Sequence, residues 1–292
     1  MASMRDIKRR KESVQSTEQI TKAMKLVSSV KLQRSKSVAE ESKPYFSKMY
    51  ETVADIIAKS DGISHPFLQK SKSPQKAIIV ITSNRGLAGG YNSNIVKLIT
   101  REPSFKKEEL LIYSVGKRGR DSLKRYGYHM EGDFSDAINA PLFSDASHIG
   151  KEVLSKFVTG EIGEIYLVYT VFKNTMVQIP TMIKLLPINP EDIKTEDKPE
   201  ESKLDQLTLM NYEPDEESAL NAVVPKYINS IIYGALVEAV ASENGARMQA
   251  MDSATSNAED MISKLTLKYN RARQGLITQE LTEIVAGASA IE

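Results

Sequence analysis

The sequence predicts an α/β domain inserted between two long helices, one from each end of the chain, that pair as an antiparallel coiled coil. Three observations support this prediction. The first 60 of the 292 residues contain no glycine and favour helix throughout. The middle of the chain alternates β-branched runs with helical stretches, which is typical of a mostly parallel sheet. Residues 215–292 carry a sustained heptad pattern, which indicates a left-handed supercoil with a partner helix.

The N-terminal segment, residues 1–60, is predicted to be one coiled-coil helix. Its only proline is Pro44, and alanine, lysine, glutamate and leucine are frequent in it. A helix of this length exceeds what a globular domain needs, so a coiled coil is the favoured interpretation. The row predicted to face the partner helix contains Ile20, Met24, Val27 and Val38 and is interrupted by Lys31 and Arg34.

The C-terminal segment, residues 215–292, has the stronger pattern. Pro225 is expected in the first turn of its main helix, where a missing N–H costs nothing. Asn244 is expected to fix the register, and the methionines Met24, Met248 and Met251 are interpreted as core packing. The predicted seam, which advances by alternating steps of three and four, consists of Val237, Ala241, Asn244, Met248, Met251, Thr255, Ala258, Ile262, Leu265, Tyr269, Ala272 and Leu276.

The middle segment, residues 75–190, is predicted to be a Rossmann-like domain with helices on both faces of its sheet. Ser144 is the predicted N-cap of its last helix, and the final two strands are predicted to form a hairpin. The predicted strands are Lys76–Thr82, Leu110–Val115, Tyr128–Phe134, Ile165–Phe172 and Met176–Leu186; the predicted helices are Asn92–Arg101, Lys117–Tyr126 and Ser144–Val158.

The net charge of +1 conceals a strong internal asymmetry. Residues 1–36 carry ten Lys/Arg and three acids, a charge of +7. Residues 191–217 carry eleven acids and three lysines, a charge of −8, and 191–214 is predicted to be an acidic linker. Such asymmetry says more about partners than the total charge does.

Several classes of function are excluded by composition. With no cysteine, the chain has no disulfide scaffold, cysteine nucleophile or thiolate metal site, and three histidines make a histidine-rich metal site improbable. No apolar run approaches the roughly 18 residues that span a bilayer. No Ser–His–Asp grouping or carboxylate pair stands out, so nothing in the sequence points to a catalytic site. We expect a mature soluble protein.

A glycine-rich turn occupies the position of a phosphate loop, between a strand and a helix. It contains Arg85, Gly86, Gly89 and Gly90 but matches neither common nucleotide-binding fingerprint, so a structural or partner-facing turn is favoured over a nucleotide site. Two other classes stay open at this point. One is an α/β nucleotide-binding enzyme with helical arms. The other is a coiled-coil adaptor that binds nucleic acid through the basic run Lys8–Lys11.

The most distinctive stretches of the chain are Ile20–Ser28, Thr82–Asn92, Ala241–Met251 and, as the longest and most specific, Leu265–Val285. All four closely resemble signatures of the gamma subunit of F-type ATP synthases, of the bacterial type. The similarity runs from end to end. The chain departs from the family pattern at Asn84, where an acid is expected.

The resemblance implies a rotating central stalk that transmits torque between the membrane rotor ring and a catalytic hexamer, coupling proton flow to ATP synthesis or hydrolysis. It implies alpha, beta and epsilon subunits and the membrane c-ring as partners, with no nucleic acid and no direct membrane insertion. It places the active sites on beta, so no catalytic residue, cofactor or metal is expected in this chain. It also implies a peripheral location at the cytoplasmic face of the bacterial cell membrane.

The resemblance also implies which residues couple the stalk to the hexamer. Arg273 and Gln274 are expected to hydrogen-bond a loop of beta as a catch, and Met24 is expected to tune contact with beta. An apolar stretch that contains Leu276, Ile277, Leu281, Ile284 and Val285 is expected to form a bearing. The full set of expected coupling residues is Met24, Arg247, Arg273, Gln274, Thr278, Glu280 and Glu283.

Overall fold

The structure is a computed structural model that describes residues 4–59, 65–69, 73–188 and 216–289. The predicted acidic linker, 191–214, lies outside the described residues. The helices are α1 (Met4–Lys59), α2 (Tyr91–Thr100), α3 (Lys117–Arg125), α4 (Phe143–Val158) and α5 (Glu216–Ser289), and the strands are β1 (Lys76–Ile81), β2 (Leu110–Val115), β3 (His129–Asp133), β4 (Glu164–Phe172) and β5 (Gln178–Leu186).

Contacts divide the chain into two compact units. The helix-pair unit comprises Met1–Ser29 and Arg247–Glu292, which are the start of α1 and the end of α5. The sheet unit comprises Val30–Ala246 and contains every strand. The two ends of the chain therefore build one unit together, and the intervening residues build the other.

The sheet unit has the predicted Rossmann-like architecture. Its strand order is β3-β2-β1-β4-β5, and β1 pairs in parallel with both β2 and β4. β2 pairs in parallel with β3, whereas β5 pairs antiparallel with β4. The predicted terminal hairpin is confirmed, as is the mostly parallel sheet, in which the strand order reverses beside β1.

Helices cover both faces of this sheet, which explains why its central strand is apolar without interruption. Along β1, Ala77, Ile79 and Ile81 point into a core that also contains residues of α4 and α5. Ile78 and Val80 point into the opposite core, against α2 and α3. All five side chains are fully buried, as expected when alternate residues of a strand each meet a packed helix layer.

Two predicted helix starts are wrong. The Asp145 carboxylate accepts the Leu142 N–H at 3.0 Å, so α4 is capped at Leu142 rather than at Ser144. Pro225 lies inside α5, which begins nine residues earlier at Glu216. Leu220 is completely buried in the sheet unit's core, so tertiary packing extends the helix toward the N-terminus beyond the proline.

The helix-pair unit is an antiparallel pair, as predicted. The Thr21 and Thr255 hydroxyls are hydrogen-bonded at 2.8 Å, and the Lys25 ammonium group pairs with the Asp252 carboxylate. From the first contact to the second, the residue number rises on the N-terminal helix and falls on the C-terminal helix. The two helices therefore run in opposite directions. In the predicted seam, Met251, Thr255, Ala258 and Leu265 are buried, and Met248, Ile262, Tyr269 and Ala272 are half-buried.

The seam predicted for the N-terminal helix is wrong by one position. Ile20 and Val27 are each 57% exposed, whereas Thr21 and Ser28 are buried. The inward row is largely polar, which is why apolar periodicity missed it. The buried and half-buried positions of this row are Met4, Ile7, Lys11, Val14, Glu18, Thr21, Lys25 and Ser28.

Asn244 is predicted to fix the register of the helix pair, but its described hydrogen bond does not cross to the other helix. The Asn244 amide donates to the Val240 carbonyl of its own helix at 2.8 Å. Within the helix-pair unit, the buried polar contact that crosses from one helix to the other is Thr21–Thr255. A hydroxyl pair inside a seam stabilises the register in which both groups are satisfied, because a shifted register would bury them unpaired.

An ion cluster joins three strands of the sheet unit at Glu164. Its carboxylate accepts hydrogen bonds from Lys184 at 2.7 Å and from the Tyr166 hydroxyl at 3.1 Å, and it lies 3.5 Å from the Lys76 ammonium nitrogen. Burial works to raise the pKa of Glu164, but the two cations and the Tyr166 hydroxyl outweigh burial and hold the pKa below its usual value.

We predict that Gly116→Ala strongly destabilises the sheet unit. Gly116 has a φ of 114°, and a Cβ there would lie 2.1 Å from the Thr82 carbonyl oxygen. Thr82 is held in place because its N–H bonds the Val115 carbonyl at 2.8 Å. The free energy of unfolding, measured by urea titration, should fall by at least about 3 kcal/mol, from backbone strain and overpacking together.

The matched control for this prediction is Gly127→Ala. Gly127 also has a positive φ, 82°, but a Cβ there meets nothing within 4 Å. It should cost only the backbone strain, about 1 kcal/mol. Equal losses for the two variants would contradict the close approach at Gly116.

We predict that Leu265→Ala destabilises the helix pair. Leu265 is 7% exposed in the seam, and truncating a buried leucine costs at least about 2 kcal/mol. Leu267, on the same helix, is 61% exposed, so Leu267→Ala should change the unfolding free energy by less than about 0.5 kcal/mol. Circular dichroism in urea would measure both, and a larger loss at Leu267 would count against this seam.

We predict that Lys184→Met makes the chain more sensitive to acid. Because the folded pKa of Glu164 is depressed, its stabilisation is fully present above the unfolded value of 4.5 and is lost as the pH falls through the folded pKa. Without Lys184 the folded pKa rises. Stability is then lost at a higher pH. At neutral pH the free energy of unfolding falls by about 1.5 kcal/mol, the low end for the loss of a hydrogen bond to a charged group.

Urea unfolding between about pH 3 and pH 7 tests this prediction. Lys173→Met is the control, since Lys173 is an exposed lysine just beyond the end of β4. The control should reproduce the pH profile of the unaltered chain. If Lys184→Met also reproduced it, Glu164 would not depend on Lys184 as described.

Candidate functional site

The glycine-rich turn follows β1 at the edge of the sheet where the strand order reverses. Open α/β sheets commonly bind ligands at this point. Here, however, the polar groups at the base of the turn bond one another. The Asn92 amide accepts the Ser83 N–H at 2.9 Å and donates to the Ser83 hydroxyl at 2.7 Å, and that hydroxyl lies 2.6 Å from the Arg85 carbonyl oxygen. The turn is thus braced from within.

Asn84 ties this turn to two neighbouring segments. Its amide nitrogen donates to the Ser135 carbonyl at 2.7 Å, and its amide oxygen accepts the Lys117 N–H at the start of α3 at 3.0 Å. An amide can donate and accept at once, whereas an ionised acid can only accept. The departure from the family pattern at this position therefore makes a bond that a carboxylate could not make.

The tip of the turn faces solvent. Arg85, Gly89 and Gly90 are exposed, Gly86 is half-buried, and Leu87 is 62% exposed with a φ of 65°. An exposed leucine held at positive φ is an unusual feature and points to a constraint beyond packing. The turn therefore combines a rigid base with an exposed tip.

The expected coupling residues all belong to the helix-pair unit. Met24 and Arg247 are half-buried there. The other five are exposed on one stretch of α5, where the Thr278 hydroxyl donates to the Gln274 carbonyl at 2.9 Å and Glu283 accepts a hydrogen bond from Gln279, also at 2.9 Å. The exposed five are Arg273, Gln274, Thr278, Glu280 and Glu283. The turn residues belong to the sheet unit instead.

The last part of α5 exposes apolar side chains. All residues from Arg273 to Ala288 are exposed. Leu276, expected in the seam, is 42% exposed, so that expectation is wrong. The large apolar side chains in this stretch are Leu276, Ile277, Leu281, Ile284 and Val285, between 42% and 68% exposed. A cluster of this kind usually marks an interaction surface.

The sequence reasoning missed a second apolar surface. Ile20, Leu26 and Val27 lie on the outside of the N-terminal helix and are 57%, 64% and 57% exposed. Basic residues flank them, including the exposed Lys22. The signal that could have revealed this surface is the polar residue at Thr21, next to Ile20. Thr21 could have been paired with Thr255, the polar residue of the C-terminal seam, which would have placed Ile20 on the outside.

Neither a spanning helix nor a metal cluster is found in the part of the chain that the structure describes. None of the described helices is long and apolar enough to cross a membrane. Among the same residues, no group of three or more His, Asp or Glu side chains could hold a metal ion.

Comparison with known proteins gives one consistent result. The family profile described as "ATP synthase" matches residues 3–291. The ATP synthase gamma chain of Lachnoclostridium phytofermentans is 65% identical over 291 residues and covers 100% of both chains. A gamma chain of Acetobacterium woodii, described as sodium ion specific, is 43% identical and covers 99% of both chains.

Two solved structures share the fold. The central stalk and c-ring structure of the Tetrahymena thermophila mitochondrial ATP synthase contains a chain 26% identical to this one, with a TM-score of 0.57, that covers 80% of this chain and 99% of its own. A chain of the Euglena gracilis mitochondrial ATP synthase is 21% identical, with a TM-score of 0.66, and covers 99% of this chain and 94% of its own. With full-length identity of 65% and a profile match along nearly the whole chain, this protein belongs to the ATP synthase gamma chain family.

Proposed function

We propose that this chain is the rotating central-stalk subunit of a bacterial F-type ATP synthase. It transmits torque between the membrane rotor ring and the hexamer of alpha and beta subunits, coupling proton flow to ATP synthesis or hydrolysis. The observation that carries this proposal is the full-length match to gamma chains. The chain itself is non-catalytic, and the active sites lie on beta.

The helix-pair unit supports a shaft role. Two helices joined along a seam resist bending and twisting better than one, and the Thr21–Thr255 layer opposes sliding between them. The apolar residues at the end of α5 and on the outside of the N-terminal helix give this shaft surfaces for the surrounding hexamer. The charge of +7 over residues 1–36 suits contact with acidic segments of beta.

The sheet unit is proposed to contact the subunits outside the hexamer. By family membership, its partners are the epsilon subunit and the membrane c-ring. The exposed tip at Arg85, Leu87 and Gly89 is held on a rigid base, which suits a contact that must carry force without deforming. The assembled chain is peripheral, at the cytoplasmic face of the bacterial cell membrane.

The exposed end of α5 is proposed to hold the catch. Arg273 and Gln274 lie next to each other and are exposed, so they can hydrogen-bond a loop of beta. A guanidinium offers five donors in a fixed plane, which suits recognition of carboxylate and carbonyl oxygens. Thr278, Glu280 and Glu283 follow on the same stretch, and Met24 and Arg247 complete the proposed coupling set.

We predict that Arg273→Ala lowers coupled ATP hydrolysis several-fold without destabilising the chain. The side chain is exposed, so its removal should change the unfolding free energy by less than about 0.5 kcal/mol. The hydrogen bonds to beta would be lost, however. Reconstitution with alpha and beta subunits, followed by ATP hydrolysis and single-molecule rotation assays, measures the effect.

Arg271→Ala is the matched control, since Arg271 is also an exposed arginine of α5, two residues away. It should retain rotation within about twofold. Equal effects for the two variants would refute the catch while leaving the stalk role intact. If the unaltered chain failed to assemble with alpha and beta at all, the stalk role itself would be refuted.

A further inference from the structure

The outer face of the α2–α3 layer is strongly basic. Residues 91–128 carry nine Lys/Arg and four Asp/Glu, a charge of +5 within a chain of charge +1. We call the exposed cations of the two helices and the residue after α2 the cationic face. Its members are Lys97, Arg101, Lys117, Arg118, Lys124 and Arg125.

Packing places these residues on the solvent side of one helix layer. α2 and α3 lie side by side, and their inner sides share a core through Ile95, Ile99 and Leu123. Since those residues point to the sheet, the exposed residues of both helices lie on the side away from it, although the Arg118 guanidinium also approaches Gly86 of the glycine-rich turn. The cations lie at both ends of the layer, with Lys117 at the start of α3 and Lys124 near its end.

Acids within this stretch do not neutralise the face. Asp121 is the single acid of the two helices, and it pairs with Arg120 at 2.9 Å. Glu109 pairs with Lys106 at 3.0 Å, and Glu102 accepts a hydrogen bond from Ser104. The fourth acid, Glu108, is exposed in the segment between α2 and α3 rather than on either helix. No carboxylate of the described residues lies within 4.0 Å of any cation of the face.

Helix capping does not account for the cations at the end of α3. A basic side chain near a helix C-terminus is stabilised by the helix dipole and can bond the last carbonyls. Lys107 already does so from outside the helix, because its ammonium group bonds the Tyr126 carbonyl at 3.1 Å. Lys124 and Arg125 are therefore not needed to bond the last carbonyl groups of α3, and both side chains are exposed to solvent.

The composition of the face decides which partner it fits. The centre of a protein interface is rich in apolar and aromatic side chains and, apart from arginine, poor in charged ones. Of residues 91–128, Tyr126 is the one large apolar side chain that is exposed, at 58%, and it lies beside the end of α3. A broad layer of cations with a tyrosine at its border instead matches a layer of anionic lipid headgroups.

We infer that the cationic face binds the surface of an anionic lipid bilayer electrostatically, without insertion. This goes beyond the stalk role, which requires contact with protein subunits only. Charge attraction to a fluid headgroup layer fixes the cationic face to no single lipid, so it is compatible with rotation of the stalk. The attraction is screened by salt, because every charge involved is exposed.

Vesicle sedimentation with the full chain tests this inference. Vesicles of equal parts phosphatidylglycerol and phosphatidylcholine should bind the chain at about 50 mM salt and release it at about 0.5 M, while pure phosphatidylcholine vesicles should not bind it. Replacing Lys97, Arg101, Lys124 and Arg125 together by Gln should weaken binding at least about a hundredfold, given about fivefold for each basic residue at an anionic surface.

The matched control neutralises four exposed cations of the other basic region, Arg5, Lys8, Arg10 and Lys22. The inference requires a much smaller loss from this control than from the variant of the cationic face. Circular dichroism and urea unfolding must show that both variants keep the fold.

Three results would overturn the inference. The first is an equal or larger loss in the N-terminal control. The second is equal binding to uncharged vesicles, which would indicate apolar adsorption. The third is binding of duplex DNA by the cationic face with no binding of anionic vesicles, which would assign the face to nucleic acid.

Discussion

The antiparallel register of the two chain ends is the constraint on which the helix-pair unit depends. The buried Thr21–Thr255 hydrogen bond and the seam positions on both sides of it place every residue of one helix against a definite residue of the other. A shift along the axis would separate the hydroxyls and expose Leu265. Register therefore determines where the paired region ends, after Ala272, and where α5 continues alone.

That register also explains the distribution of apolar side chains. The N-terminal helix gives the seam mostly polar or small residues, so its apolar residues Ile20, Leu26 and Val27 are on the outside. The helix pair therefore has less hydrophobic stabilisation than a leucine-rich coiled coil would have. In exchange, apolar side chains on its surface are available to bind partners. In the proposed central stalk, the surrounding subunits would bury the apolar surface that the helix pair itself leaves exposed.

The fold was largely predictable from sequence where one strong period dominated. The β1 run, fully buried on both faces, could only be a central strand, and the seam from Met248 to Ala272 followed from its spacing. The N-terminal seam could not be predicted in this way, because the apolar row of that helix lies one position away from the row that faces the partner helix. The start of α4 is set by the Asp145 cap and the start of α5 by the burial of Leu220. Sequence periodicity did not indicate either one. The coupling residues came from family resemblance, because exposed polar side chains leave no periodic signal.

The exposed end of α5 has a consequence for how the complex is made. A free copy of this chain presents Leu281, Ile284 and neighbouring apolar side chains to water, and such surfaces associate with one another when no partner is present. Surplus chains would therefore be lost to aggregation or proteolysis rather than stored. We therefore expect the exposed end of α5 to remain soluble only when the chain is made together with the subunits that cover it.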